Sequence, residues 1–192
     1  MICKTIGAMK EPSLVHIQTQ PGFELGWCFQ NVRSHVSKHG GSIVFGWSIS
    51  EWPGIFIEAE HHAVWEPPIG RPLIDVTPSG LPGISATLFL EDELATYDFG
   101  NEASRRRNRR VALRDDPLIT EFIRAAERLD DFMNKLPGIG EIEVTPTEAI
   151  ELAGINEEIQ ILQLRLEMKY AKKHEPCPCG SGKEFLKCHW RS

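Results

Sequence analysis

Residues 42–76 read SIVFGWSISEWPGIFIEAEHHAVWEPPIGRPLIDV. Within them SIVFGWSI (42–49), GIFIEAEHHAVW (54–65) and PLIDV (72–76) are rich in β-branched or aromatic residues and bounded by Gly or Pro, the pattern of strands separated by turns. Upstream, Cys28, Val32, His35, Val36 and His39 recur at helical spacing, and Gly40-Gly41 is a helix stop. A helix therefore feeds a sheet. GISATLFLE (83–91) adds another strand, after which the chain turns polar through EDELATYDFGNEASRRRNRR (91–110).

From Asp116 the signals become helical. Asp116 is a capping residue and Pro117 suits the first helical position. Leu118, Ile119, Phe122, Ile123, Ala126, Leu129, Phe132 and Met133 form one apolar stripe, in a helix predicted to end near the PGIG turn (137–140). A last helical region is expected from about Pro146 to Lys173, broken at Gly154 with Asn156 as a new cap, and with Ile159, Leu162, Leu166 and Met168 as its packing stripe. The expected organisation is an α+β domain over 1–115, a helical extension over 116–173 and a cysteine-bearing tail over 174–192.

At 192 residues, 41% hydrophobic and 25% charged, the chain can build one cored domain plus an appendage. The formal net charge of -6 speaks against a generic polyanion binder, although five arginines fall within residues 105–110. No apolar run approaches the roughly 18 residues of a membrane span, and MICKTIGAMKEPS has no apolar core of signal-peptide length. The expectation is a soluble, cytoplasmic protein that does not engage a membrane. Three of the five cysteines crowd into residues 177–188, which suits metal binding better than a disulfide framework.

The tail, EPCPCGSGKEFLKCHW (175–190), supplies three thiols and an imidazole in Cys177, Cys179, Cys188 and His189. That is a common closed ligand set for structural zinc. The Gly180-Ser181-Gly182 turn lets the chain reverse around the metal, and Lys183 and Lys187 offset the charge of three thiolates. A segment this short has too little to bury, so bound metal must supply most of its folding energy. The CPCGSGK start, the eight residues between Cys179 and Cys188 and the Cys188-His189 finish resemble the SEC-C motif. This zinc knuckle ends the SecA translocation ATPase and many unrelated bacterial proteins. The resemblance implies a structural Zn2+ and a protein or ribosome contact.

A second cluster suggests thiol chemistry. A nucleophilic cysteine needs a base and a group that orients the base. Cys28 stands where a helix starts, a position that favours thiolate. His62 lies on one predicted strand and Asp75 on the next. A hairpin centred near Ile69, with facing residue numbers summing to 137, sets His62 opposite Asp75. A one-residue slip would offer His61 instead, and periodicity alone leaves both open.

HAVWEPPIGRPLIDVTP (62–78) resembles the transglutaminase-like and papain-like pattern, in which a strand with His-Ala and Trp is followed by Asp, a β-branched residue, Thr and Pro. Over residues 23–80 the resemblance implies a helix packed on an antiparallel sheet and a catalytic Cys28, His62 and Asp75 in that order. It implies a cysteine hydrolase or acyltransferase acting on an amide or thioester, with a protein substrate. Gln18, Gln20 and Gln30 are the candidate oxyanion donors. The competing expectation is a non-catalytic, zinc-bearing adaptor that binds protein or ribosome, in which Cys28 is buried or His62 and Asp75 point apart.

Arg105, Arg106, Arg107, Arg109 and Arg110 are able to hold phosphates. Aromatics for base stacking are absent between Asn101 and Pro117, and acidic residues flank the run. A solvated loop or protein-docking patch is thus the stronger reading, and a nucleic-acid or ribosome site the weaker. Trp47, Trp52 and Trp65 read as core or cleft wall.

Overall fold

β2 (Ser42–Trp52) and β3 (Phe56–Glu66) form one long antiparallel hairpin, in register from Ser42↔Glu66 to Trp52↔Phe56. Its turn needs Gly54, at φ 67°, whose N–H donates to Glu51 Oε1 at 2.9 Å. This hairpin nucleates the first of two compact units in the computed structural model, which describes residues 2–7, 10–70, 72–80, 82–100, 105–136 and 143–189. One unit ends at Leu113 and the other begins at Arg114.

In the first unit β5 (Ala86–Glu91) pairs with the free edge of β2, and β1 (Ser13–Ile17) pairs antiparallel with β5. β4 (Ile74–Asp75) runs parallel to β1 and meets β3 at Trp65↔Ile74. The order β2-β5-β1-β4-β3 returns to β2, so the five strands close into a small barrel. β6 (Arg109–Ala112) extends the β3 edge at residues 56–59. The expected antiparallel sheet is thus corrected: the sheet is mixed, because β1 runs parallel to β4, and by bridging β5 and β4 it closes the sheet and removes unpaired edges.

Strand alternation sorts the side chains. Val15, Val44, Val64, Leu73 and Phe89 come from strands around the ring and pack together inside it. Gly46 has no room for a side chain there: a Cβ would lie 2.1 Å from the Leu90 carbonyl oxygen and 2.7 Å from the Phe89 ring. Outside, α2 (Cys28–His39) lays Phe29 and Val32 on Ala63 and Val76, with Phe45 and Trp65 beside them. α1 (Ile2–Ile6) covers Trp47, Ala59 and Leu90. As the glycine pair suggests, α2 stops at His39, and Gly40 and Gly41 take φ of 72° and 85°.

In the second unit α3 (Pro117–Lys135) starts on Asp116, whose side chain accepts from the Leu118 N–H. The PGIG turn lies outside the described residues. α4 (Pro146–Tyr170) opens with a reciprocal Thr145–Glu148 capping box. It packs on α3, burying Leu162 and Leu166. Lys169 Nζ lies 2.6 Å from Asp116, and the Tyr170 hydroxyl donates to the same carboxylate. The expected break at Gly154 is absent. A mid-helix glycine costs only about 1 kcal/mol, and the capping box and packing on α3 outweigh it over 25 residues. Asn156 is therefore an interior helical residue, not a cap. α5 (Phe185–Cys188) is one turn in the cysteine-rich tail.

Candidate thiol site and candidate metal centre

Cys28 is the first residue of α2, and the cap residue Trp27 contributes no side-chain bond. The N–H groups of that first turn have no intrahelical acceptor, so they are available to negative charge near the sulfur. His62 points from β3 toward the barrel interior, with Phe89 beside it at a ring separation of 6.4 Å. Its Nε2 lies 2.8 Å from Asp75 Oδ2, and Asp75 Oδ1 accepts the Thr77 N–H at 2.9 Å. Cys28 lies in the same cleft wall, where its sulfur acts electrostatically on the same imidazole. Burial pulls the His62 pKa down, but the charge of the Cys28 sulfur and the hydrogen bond to the Asp75 carboxylate outweigh it. The pKa lies well above the ordinary 6.5.

The three residues line one cleft of 670 Å³ together with Leu25, Ser48 and Thr87. Cys28 itself is only 6% exposed, since its backbone belongs to the α2 core. The two features set against each other in the sequence therefore divide, with a buried cysteine beside a histidine and an aspartate that meet.

The hairpin register is corrected. Trp65↔Ile74 sums to 139, not 137, so Asp75 stands opposite Val64 and reaches His62 diagonally. His61 faces the other way, under α2. Its Nε2–H donates to the Ala95 carbonyl at 2.7 Å, its Nδ1 accepts the Arg106 N–H at 3.2 Å, and Phe29 and Trp47 pack on its ring. Burial lowers its pKa to about 4, partly opposed by the Ala95 bond.

Of the oxyanion candidates, none of Gln18, Gln20 and Gln30 lines the cleft, and the Gln20 amide donates to the Gln18 carbonyl at 3.2 Å. Asn31 was not legible as a site residue. It is buried one turn after Cys28, where its amide nitrogen donates to the Glu24 carbonyl at 2.8 Å and to Thr77 Oγ1 at 3.4 Å. It thus ties the segment before Cys28 to the segment after Asp75. The available signal was an asparagine inside an apolar helical stripe.

The arginine run is corrected too, since half of it is no solvated loop. Arg109 and Arg110 belong to β6, and Arg110 is buried against Glu58 at 2.6 Å, with Asn108 donating to the same carboxylate at 2.9 Å. The Arg106 guanidinium donates to the Leu94 carbonyl. These bonds draw the run onto the barrel.

In the tail, a bridge between Pro176 and Glu184 and the turn of α5 fold the ligands inward. Gly180 and Gly182 have φ of 76° and 72°, conformations in which a Cβ is strained. The four candidate ligand atoms of Cys177, Cys179, Cys188 and His189 all lie within 4.8 Å of one another. Cys177 Sγ is 3.2 Å from His189 Nδ1, and Cys179 Sγ is 3.6 Å from Cys188 Sγ. A tetrahedron with 2.3 Å zinc–sulfur bonds has edges of about 3.8 Å, so the set fits zinc. The Ser181 hydroxyl and then the Cys177 thiol hold Cys179 down at about 6, while burial pushes Cys177 up.

The SEC-C motif matches residues 175–191, under a tenth of the chain, and with the Cys/His cluster it fits a zinc knuckle. No curated protein and no solved structure matches the chain. The transglutaminase-like and papain-like resemblance finds no support in these comparisons. Among the described residues no helix is long and apolar enough to cross a membrane.

Proposed function

We propose that Cys28, His62 and Asp75 form the thiol site of a hydrolase or acyltransferase acting on an amide or thioester of a protein substrate. The observation that supports the reading is the His62 imidazole, hydrogen-bonded to Asp75 and sharing the wall of one cleft with Cys28. The Cys28 thiolate attacks the carbonyl carbon, forming a C–S bond and a tetrahedral oxyanion beside the first turn of α2. Collapse breaks the bond to the leaving amine or thiol, which departs with the proton of the His62 imidazolium. Water or an acceptor amine then attacks the thioester, gives its proton to His62 and expels the thiolate. Asp75 holds the Nε2–H and keeps Nδ1 toward sulfur.

Zinc in the tail is structural in this reading, for all four ligands come from the protein and leave no position open for chemistry. The knuckle docks the enzyme on a protein partner, and thiols kept for metal suit the reducing cytoplasm. The burial of Cys28 favours a second reading, a non-catalytic adaptor with the same zinc-bearing tail.

Alkylation of the zinc-loaded protein with limiting iodoacetamide at pH 6.5, resolved by mass spectrometry, separates the two. The thiol-site reading expects Cys28 to react, and His62→Ala to slow it by about tenfold or more. An inert Cys28, or a rate indifferent to His62, leaves the adaptor.

A further inference from the structure

α4 is apolar on two sides, and its packing on α3 uses only one of them. Leu162 and Leu166 are buried in that contact. The exposed large aliphatics of the helix, Ile150, Ile161 and Leu164 at 75%, 52% and 46%, lie roughly 145° round the axis from them, at about 100° per residue. Exposed leucines scattered singly are ordinary, but these fall on one line. Ile150, Gly154, Glu157, Ile161, Leu164 and Met168 follow one another in alternating steps of four and three, the spacing of a coiled-coil seam. A helix with apolar residues on opposite sides is built to be buried on both, so the second side calls for a partner.

The seam is complementary to its own reverse. Set antiparallel about a twofold axis near Ile159, two copies match Ile150 with Met168, Gly154 with Leu164 and Glu157 with Ile161, and each match occurs at both ends. Every position of the seam is used. The space around Gly154 is open, so a small residue meets a large one in that layer, as interdigitating helical layers require. Beside the seam, Glu151 of one copy comes alongside Arg165 of the other. Arg165 is loosely engaged within its own chain, 3.9 Å from Glu121 with both side chains more than half exposed, so it is able to turn toward Glu151 and Glu157 of the second copy. Parallel pairing would instead set Glu157 against Glu157 and Glu151 against Glu151, and facing like charges repel. The sequence of the helix thus selects both the direction and the register.

We infer that the exposed face of α4 is a self-association surface, on which two copies of this chain pair through an antiparallel α4–α4 seam. The inference is independent of the thiol-site reading. A seam about 27 Å long is narrower than a standard interface of about 800 Å² a side, so association in the micromolar range is expected.

The test is sedimentation equilibrium of the full-length, zinc-loaded protein under reducing conditions, from about 1 to about 500 μM. The expected mass rises with concentration from one chain toward two. Leu164→Glu should weaken the dimer by about tenfold or more, since it sets a carboxylate into an apolar layer, and an exposed position leaves the protomer folded. Glu157→Leu, which removes the charge from the seam without touching the packing on α3, should tighten it by about tenfold. At low ionic strength Glu151→Arg and Arg165→Glu should each weaken association by about fivefold, and the double variant should recover most of that loss. A single-chain mass at every concentration, a dimer that Leu164→Glu leaves intact, or an affinity indifferent to Glu157→Leu overturns the inference. A double charge variant no tighter than the single ones overturns the antiparallel register.

Discussion

Acidification from pH 7.5 to 4 should weaken the barrel in large part through His61. The residue is buried between Phe29 and Trp47 and titrates near 4 instead of 6.5. Burial is the main cause. The Arg106 and His62 charges add to it, while the Ala95 bond and Asp92 oppose it. Because the folded pKa lies below the unfolded one, the unfolded chain binds the extra proton first. The stabilisation is full above pH 6.5 and is lost as pH falls toward 4. Each pH unit in that window costs about 1.4 kcal/mol, on the order of 3 kcal/mol in all. His62 adds no slope there, since its raised pKa keeps it protonated in both states below 6.5.

The assay is urea unfolding followed by tryptophan fluorescence across that range, for the wild type and for His61→Gln. The Gln amide can still donate to the Ala95 carbonyl and accept from the Arg106 N–H, but it does not titrate. The difference between the two chains cancels metal loss and the carboxylates. Wild type should lose about one proton's worth of slope more than the variant between pH 6.5 and 4.5. Parallel pH profiles would refute a neutral, buried His61.

Gly46→Ala should destabilise by more than about 3 kcal/mol in urea unfolding, since the new Cβ meets the Leu90 backbone and not a flexible side-chain tip. Gly154→Ala should raise stability by about 1 kcal/mol, because its Cβ points into open space on an unbroken α4; a neutral or negative change would argue for a break there. Cys179→Ser should lower the bound zinc measured by atomic emission and remove amide-exchange protection over residues 177–189, while barrel exchange stays as in the wild type. Asn31→Ala should slow Cys28 alkylation, because Asn31 ties the segment before Cys28 to the segment after Asp75 and does not itself line the cleft.

What was legible in the sequence was local. The α2 helix, its glycine stop, the β2–β3 hairpin and the Asp116 cap depend on residues close in the chain, and each follows from propensity or turn chemistry. Barrel closure is not local. β1 (SLVHI) has Leu14 facing water and finds its partners at Ile74 and Leu88, about sixty and seventy-four positions away. No periodicity in five residues announces that. β6 was hidden by composition, for RRVA reads as a charged connection until Glu58 is placed opposite Arg110. The metal ligands were legible because their spacing is itself the site.

The thiol cluster shows why an inexact register still placed His62 beside Asp75. Strand side chains alternate with a period of two, so a slip by two keeps every residue on its face and turns an opposite pair into a diagonal one, which a histidine and an aspartate still span. A slip by one would have turned His61 inward and His62 under α2. That exchange is blocked from both sides. His61 is held by bonds to Ala95 and Arg106 and by two aromatic rings, an environment that favours the neutral imidazole. The interior position offers Cys28 and Asp75, an environment that favours the imidazolium. Two adjacent histidines thus occupy opposite electrostatic environments on one strand, and the cost of charging the first while neutralising the second adds to hydrophobic alternation in fixing the register of β3.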